Sequence, residues 1–373
     1  MIPAITPIGL SYIFLTALFA SLIMVPFLQR LCIERKMLDL PDERKVHLHA
    51  VPRLGGVAIC MSFLCTLLLY LVLPRGMCGI LAGVLIIFAT GLVDDIYGLS
   101  PLRKLFGEVC AVLTTMLIGN LYIRTLGDLF GLGEIVLPLW LAIPFTVVAI
   151  VGVVNAFNLI DGLDGLAGGI SVISLVAFAV LAFQAGNVEV LILCVALLGA
   201  MLGFLKYNFF PARIFMGDAG SLVVGFVISF LALSLTQGGA GQVQPVVPLL
   251  VVGLPVADAV WVMASRLCAG QSPFAADRTH VHHKFLALGF EHCHTVIVIY
   301  SISLFWAAAA LFLRDKPAVL LLGGYLVLTL LSYVALGFLR SWRHLLRSPG
   351  KEGSAMGMPE PVSCSMVANR TGR

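Results

Sequence analysis

Charged residues are scarce in this chain. Only 11% of its 373 residues are Asp, Glu, Lys or Arg, whereas a soluble domain carries about 25%. Hydrophobic residues make up 60% of the chain and the mean hydropathy is +1.05. This composition excludes an ordinary soluble enzyme and predicts an integral membrane protein.

Several familiar motifs are also absent. The nine cysteines are scattered and form no C-x-x-C pair, so we interpret them as small hydrophobic residues rather than disulfides or metal ligands. No G-x-x-x-x-G-K-[ST] pattern is present, which excludes a P-loop nucleotide site. No basic segment precedes the first apolar run, so we expect no cleaved signal peptide.

Long apolar runs are what the chain has instead. A membrane-spanning helix needs about 20 mostly apolar residues. Candidate segments lie near 8–30, 54–73, 79–93, 105–123, 138–157, 166–185, 188–206, 219–236, 246–265, 295–313 and 317–339. They predict an all-α fold, a polytopic membrane bundle of about eleven transmembrane helices within residues 1–340. The polar remainder, 341–373, is expected to be a disordered cytosolic tail.

The distribution of Lys and Arg orients this bundle. If residues 31–53 lie in the cytosol, only four of the 23 Lys and Arg residues fall outside: Arg75, Arg124, Arg314 and Lys316. This bias follows the positive-inside rule. Because the number of spans is odd, the N-terminus is expected outside and the C-terminus in the cytosol.

The polar clusters then all fall on the cytosolic face. They are "DERKVHLHAVPRLGG" (42–56), "VDDIYG" (93–98), "NAFNLIDGLDG" (155–165), "FPARIFMGDAGS" (210–221) and "DRTHVHHKF" (277–285). A transporter would more often hold its key charges near the membrane midplane. Charge collected at one surface indicates an active site open to cytosolic substrates, although an ion-coupled transporter and a structural scaffold remain rival interpretations.

Adjacent and periodic acids mark two of these clusters. Asp94 and Asp95 end an apolar run; on a helix they point about 100° apart, so they need not share one role. Asn or Asp recurs at every third position of the next cluster: Asn155, Asn158, Asp161 and Asp164. A helix tightened toward three residues per turn would align the four, and Gly162 and Gly165 permit that distortion or a break into a loop. The row predicts contacts to a polar ligand, with a capped helix end as the alternative.

The remaining candidates allow two interpretations each. Asp218 precedes an apolar run and suits an N-cap, a metal carboxylate at a helix N-terminus, or both. Phe215 suits membrane packing, which the residues alone favour, or stacking on a nucleobase. Asp258 lies inside the ninth apolar run and is a functional candidate as an intramembrane acid.

The histidine cluster mixes imidazole with fixed cations. His280, His282 and His283 lie between Arg278 and Lys284. The zinc spacing H-x-x-x-H is absent. The mixture suits anionic phosphates, with a plain basic loop as the alternative.

Together these motifs resemble those of the polyprenyl-phosphate N-acetylhexosamine-1-phosphate transferases, the glycosyltransferase 4 family, and most of all the undecaprenyl-phosphate N-acetylglucosamine-1-phosphate transferases. The matching stretches, in order over about residues 40 to 290, are "DDIYGLSPLRK", "NAFNLIDGLDGLAGG", "ARIFMGDAGS" and "SPFAADRTHVHHKF". The sister branch, phospho-MurNAc-pentapeptide translocase, typically has three consecutive histidines. This chain has His-Val-His-His, as in the N-acetylglucosamine branch.

The resemblance implies a reaction and its partners. A polyprenyl phosphate attacks the β-phosphorus of a UDP-N-acetylhexosamine, and UMP leaves. The expected cofactor is Mg²⁺, with Mn²⁺ as a possible substitute. The expected partners are undecaprenyl phosphate, the UDP-sugar and the bacterial cytoplasmic membrane, without nucleic acid and with a homodimer left open. The sugar is open too, as is the downstream polymer: O-antigen of lipopolysaccharide, common antigen, teichoic acid and capsule all begin this way.

The resemblance also implies site residues. Asp94 and Asp95 would belong to the catalytic centre, Asp218 would ligate magnesium with Asp95 as a second ligand, and Lys104 would contact phosphate. The uridine end would be held by Asn158, Asp161, Asp164 and Phe215. The diphosphate and sugar would be held by Arg278, His280, His282 and His283. The first cytosolic loop would contact substrate through Arg44, Lys45 and His47.

Overall fold

The structure, a computed structural model, describes residues 6–35, 38–39, 50–70, 75–237, 243–271 and 279–347. Within these residues lie thirteen α-helices and one antiparallel two-stranded sheet, β1 (Leu38–Asp39) with β2 (Val51–Pro52). The helices are α1 (Pro7–Glu34), α2 (Gly55–Tyr70), α3 (Arg75–Tyr97), α4 (Pro101–Gly119), α5 (Leu139–Ile160), α6 (Leu166–Gln184), α7 (Val188–Asn208), α8 (Gly217–Gln237), α9 (Val246–Val251), α10 (Gly253–Cys268), α11 (Val281–Ala287), α12 (His292–Phe312) and α13 (Ala318–Arg347).

Eight of the described helices are long and apolar enough to cross a membrane: α1, α3, α5, α6, α7, α8, α12 and α13. Their outer faces carry exposed large hydrophobic side chains, among them Ile23, Phe183 and Phe312. Contiguous apolar surface of this kind needs an apolar environment. The chain is therefore a polytopic helical membrane protein.

Two predicted spans are less regular than the sequence suggested. The run 54–73 contains α2, a helix of only 16 residues. The run 246–265 is not one helix, as predicted, but α9 and α10 with a break at Val252. The cause is Pro255, which lacks the N–H that the carbonyl of Val251 would accept and whose ring crowds that carbonyl.

The last helix passes the predicted end of the membrane domain. α13 continues to Arg347, so the start of the segment 341–373 is helical. Residues 348–373 lie outside the described residues, and their disorder stays a prediction.

The helix α8 forms the centre of the bundle. It is buried along nearly its whole length and packs against α2, α3, α5, α6 and α7. Glycines bring its neighbours close, because a Cβ at Gly56 or at Gly91 would collide with the backbone at Gly220 or Ala219. Small residues are the usual means of such close packing between membrane helices. The helices α2 and α3 therefore hold the N-terminal end of α8 in a fixed place.

Candidate active site

Three helix ends meet beside the start of α8. Asp94 and Asp95 lie in the last turn of α3, Lys104 in the first turn of α4, and Asn158 in the last turn of α5. Asp218 lies in the first turn of α8. These polar residues tolerate their position because helix ends reach the polar boundary of a bilayer, where an ionised group avoids the full cost of hydrocarbon.

Lys104 joins two of the carboxylates. Its Nζ lies 3.1 Å from Oδ2 of Asp94 and 3.1 Å from Oδ1 of Asp218. It also donates to Oδ1 of Asn158 at 3.4 Å, while the amide nitrogen of Asn158 donates to Asp218 and, at 2.8 Å, to Oγ of Ser221. One ammonium between two carboxylates leaves an excess of negative charge, which attracts a divalent cation.

Asp95 has a different environment from its neighbour. Its two carboxylate oxygens accept the backbone N–H groups of Asp218 at 2.8 Å and of Ala219 at 2.9 Å. These are orphan donors at the start of α8, so Asp95 caps that helix from another part of the chain. Gly217, at φ +70°, makes the approach possible, since a Cβ there would meet the Asp95 carboxylate.

The row of Asn and Asp residues divides between a helix and a loop. α5 ends at Ile160, and Asp161 and Asp164 follow in a loop that closes at Gly165, whose φ is +76°. The alternative of a break is therefore the observed one, and a tightened helix is not. Asp164 Oδ2 accepts the N–H of Ala212 at 2.9 Å, so this side chain fixes the loop against the segment before α8.

The histidine helix α11 packs onto this loop. His282 is buried, and its ring lies so close to Gly162 that a Cβ there would collide with it. Burial, and next the charge of His283, lowers the pKa of His282 to about 3, so its ring is neutral at pH 7. Its Nδ1 has no hydrogen-bond partner among the described residues. The structure thus brings the second and fourth motifs of the resemblance to one place.

Comparisons with known proteins identify the family of the chain. The model of glycosyl transferase family 4 matches residues 77–236. The Bacillus subtilis (strain 168) protein named "Probable undecaprenyl-phosphate N-acetylglucosaminyl 1-phosphate transferase" is 36% identical over 307 residues, 81% of this chain and 84% of that protein. The chain belongs to glycosyl transferase family 4.

Two further relatives extend the comparison. The "Undecaprenyl-phosphate alpha-N-acetylglucosaminyl 1-phosphate transferase" of Yersinia pestis is 30% identical, over 78% of this chain and 79% of that protein. The "Decaprenyl-phosphate N-acetylglucosaminephosphotransferase" of Mycobacterium leprae (strain TN) is 32% identical, over 78% and 80%. The family predicted from the four motifs is confirmed.

The other residues predicted for the site lie outside the Lys104 cluster. Phe215 keeps its half-buried side chain beside the site, and its backbone pairs with Pro52 and Gly55 at 2.8 and 2.9 Å. His283 follows His282 on α11, and His280 precedes the helix as its N-cap and contacts Asp258. The predicted substrate residues of two loops lie outside the described residues: Arg44, Lys45, His47 and Arg278.

The donor set fits a hard divalent cation. Within the described part of the chain, no three His, Cys, Asp or Glu side chains converge as an all-protein metal site. Magnesium, however, is usually held by one or two carboxylates together with waters and substrate phosphates. The Asp218 carboxylate at the start of α8, with Asp94 paired to the same Lys104, supplies oxygens of the required kind.

Sequence reasoning missed Glu108. This residue lies one turn after Lys104 on α4 and is 1% exposed. Its Oε2 accepts the amide N–H of Asn155 at 2.6 Å, and its Oε1 has no partner among the described residues. An acid inside the apolar run 105–123 was the available signal, by the same rule that singled out Asp258.

The charge of Asp161 predicts a pH-dependent effect on stability. Burial, followed by the carboxylates of Asp218 and Asp95, raises the pKa of Asp161 to about 7. An acid with a raised folded-state pKa destabilises the fold progressively as pH rises toward that value. Asp161→Asn should therefore raise Tm relative to wild type more at pH 8 than at pH 5, by at least about 2 °C. Thermal unfolding of the purified protein in a chelating buffer measures the difference.

Asp164→Asn is the matched control in the same loop. It weakens the acceptor for the N–H of Ala212, so it should not raise Tm at pH 8. An Asp161→Asn variant that is no more stable than wild type at pH 8 would contradict the inferred charge repulsion.

Proposed function

We propose that the protein transfers N-acetylglucosamine 1-phosphate from UDP-N-acetylglucosamine to undecaprenyl phosphate. A phosphate oxygen of the lipid forms a bond to the β-phosphorus of the nucleotide sugar, the bond from that phosphorus to the bridging oxygen breaks, and UMP departs with the bridging oxygen. The lipid keeps a diphosphate-linked sugar. The names of the relatives support this reaction, which would begin a cell-envelope polysaccharide.

The observation that carries the proposal is the position of Lys104 between Asp94 and Asp218. Both substrates are anions, so their approach needs cationic charge at the point where they meet. The cluster lies at helix ends, where a lipid headgroup on one side and a soluble nucleotide on the other would both reach it. An ion relay in a transporter would instead place such acids near the midplane.

Each side chain has a task in this scheme. Asp94 faces Lys104 and would position the lipid phosphate or take its proton. Asp95, which the sequence suggested as a second metal ligand, would act through Asp218 by fixing the start of α8. A magnesium ion, or manganese in its place, would be held by Asp218 and substrate phosphates, and would polarise the diphosphate and steady the leaving UMP.

The two ends of the nucleotide sugar would lie along α11 and along the loop after α5. Asp161, Asp164 and Phe215 would meet the uridine end. Asn158, hydrogen-bonded within the Lys104 cluster, would lie nearer the diphosphate. The histidines of α11 with Arg278 would hold diphosphate and sugar, and Lys45 would approach from the first loop.

Release of UMP by purified protein tests the proposed reaction. UMP and a lipid-linked product should form only when UDP-N-acetylglucosamine, undecaprenyl phosphate and Mg²⁺ are all present. A panel of other UDP-N-acetyl sugars in place of the donor tests the sugar. Absence of UMP with every donor would overturn the proposal, whereas a preference for another sugar would correct the substrate alone.

We further propose eleven crossings of the bacterial cytoplasmic membrane, with the N-terminus outside. The eight long helices would be joined by α2, by α4 and by the broken pair α9 and α10. The site does not require a homodimer, because all of the residues described in it come from one chain.

Labelling of engineered cysteines tests this orientation. In a background without native cysteines, a cysteine near His280 or near Asp161 should react with an impermeant thiol reagent only from the cytosolic side. A cysteine at Asp315, in the turn between α12 and α13, should react only from outside and serves as the matched control. Labelling of either site position from outside would reverse the orientation.

A further inference from the structure

A buried aspartate forms hydrogen bonds to the start of the histidine motif. Asp258, on α10, is 1% exposed, and His280, at the start of α11, is 4% exposed. Oδ2 of Asp258 lies 2.8 Å from Nδ1 of His280. Oδ1 accepts the N–H of Val281 and the hydroxyl of Tyr333, both at 2.8 Å. One carboxylate thus joins α10, α11 and α13.

The three contacts determine which ring nitrogen of His280 carries the proton. The N–H of Val281 can only donate, and the Tyr333 hydroxyl donates to the same oxygen, so Oδ1 accepts twice. An ionised carboxylate can only accept, at Oδ2 as well as at Oδ1. An accepting Oδ2 requires a proton on Nδ1 of His280. The other ring nitrogen, Nε2, is then the one available to a ligand, either as a lone pair or, on protonation, as a donor.

The same carboxylate also fixes the helix that carries the other histidines. Val281 is the first residue of α11, so Asp258 caps the helix that presents His282 to the loop after α5. Tyr333 is held in turn by stacking on Trp261, with ring centroids 4.7 Å apart. The Nζ of Lys284 lies 4.3 Å from the centroid of the Tyr333 ring, a cation–π contact.

We propose that Asp258 is a positioning residue that holds His280 in the Nδ1-protonated tautomer, so that Nε2 is the nitrogen that meets the diphosphate of the donor. This inference rests on the proposed function, in which His280 contacts that diphosphate. A carboxylate in this relation to a functional histidine sets both ring orientation and tautomer, as it does behind metal-bound histidines. A purely structural tie between three helices is the alternative, and the experiments below separate the two.

Nitrogen NMR measures the tautomer directly. The full chain, labelled with ¹⁵N-histidine in detergent or nanodiscs, contains eight histidines, and loss of a signal in His280→Gln assigns the one in question. In wild type at pH 8, Nδ1 should carry the proton. In Asp258→Asn the amide group donates to Nδ1 while its oxygen still serves Val281 and Tyr333, so the proton should move to Nε2. A wild-type His280 protonated at Nε2 would overturn the inference.

A double-mutant cycle tests whether Asp258 acts through His280. Asp258→Asn should lower kcat for UMP release by about 10- to 100-fold in the wild-type background, the usual effect of removing an orienting partner. In the His280→Gln background the same change should alter kcat by less than about twofold. Equal losses in both backgrounds would show a structural tie alone and overturn the inference.

Tyr333→Phe is the matched control. It removes a hydrogen bond from the same carboxylate without touching the contact to His280, so it should lower Tm while kcat stays within about twofold of wild type. A wild-type protein that releases no UMP would overturn the proposed function. An active protein in which Asp258→Asn has a normal rate and a normal tautomer would overturn this inference alone.

Discussion

Replacement of Asp218 by asparagine is expected to lower kcat by about 10²-fold or more, comparable to the loss of a main electrostatic stabiliser. The change is nearly isosteric, and the backbone N–H of residue 218 keeps its bond to Asp95, so α8 should start as before. The loss is one of charge. Lys104 would keep only Asp94 as an ionic partner, and the carboxylate proposed for magnesium would be gone. UMP release over a magnesium series, with both substrates saturating, measures the effect.

Glu189→Gln is the matched control for that experiment. Glu189 is an acid in the first turn of α7, where it makes the same favourable interaction with a helix N-terminus that Asp218 makes in α8. Its removal should leave kcat near the wild-type value. A near-normal rate for Asp218→Asn at saturating magnesium would argue that Asp218 serves only as a first-turn acid.

The sequence predicts the membrane class and the neighbours of the site because both follow from local patterns. Apolar runs long enough to span a bilayer specify most of the helices. The motifs at the ends of these runs place Asp94, Asn158 and Asp218 at the same end of the bundle. The break at Val252 was also signalled locally, by Pro255, but the apolar run around it suggested one continuous helix. The end of α5 at Ile160 was left open because glycine permits several backbone conformations.

The functions of individual acids within the site depended on contacts that no local pattern reveals. Asp95 caps a helix that begins more than a hundred residues later in the chain. Asp258 meets His280 and Tyr333 only because α10, α11 and α13 pack together. Glu108 was overlooked inside an apolar run, although its burial requires the partner that it has in Asn155.

The pair Asp94 and Asp95 should respond differently to the same substitution, although both variants should lose most activity. Asp94→Asn removes the ion pair with Lys104, but an amide oxygen can still accept the N–H of Leu99, which Asp94 now accepts at 2.6 Å. Its Tm should therefore stay close to that of wild type. Asp95→Asn leaves one side-chain oxygen, which can accept only one of the two backbone N–H groups of Asp218 and Ala219 as they now lie. The amide NH₂ group of the new side chain then faces the second N–H group, donor against donor. This substitution should lower stability by about 1–3 kcal/mol.

Dependence on pH separates the roles further. If Asp94 takes a proton from the lipid phosphate, the loss in Asp94→Asn should be about 10²- to 10⁴-fold at low pH. The second pKa of a phosphate monoester is about 6, so above that pH the dianionic lipid forms without a base. The rate of Asp94→Asn should then recover as pH rises from 5.5 to 8, whereas Asp95→Asn, whose defect lies in the placement of α8, should not recover. Equal and pH-independent losses in kcat would remove the proton-acceptor role from Asp94 and leave it the task of holding Lys104 beside the reacting phosphates.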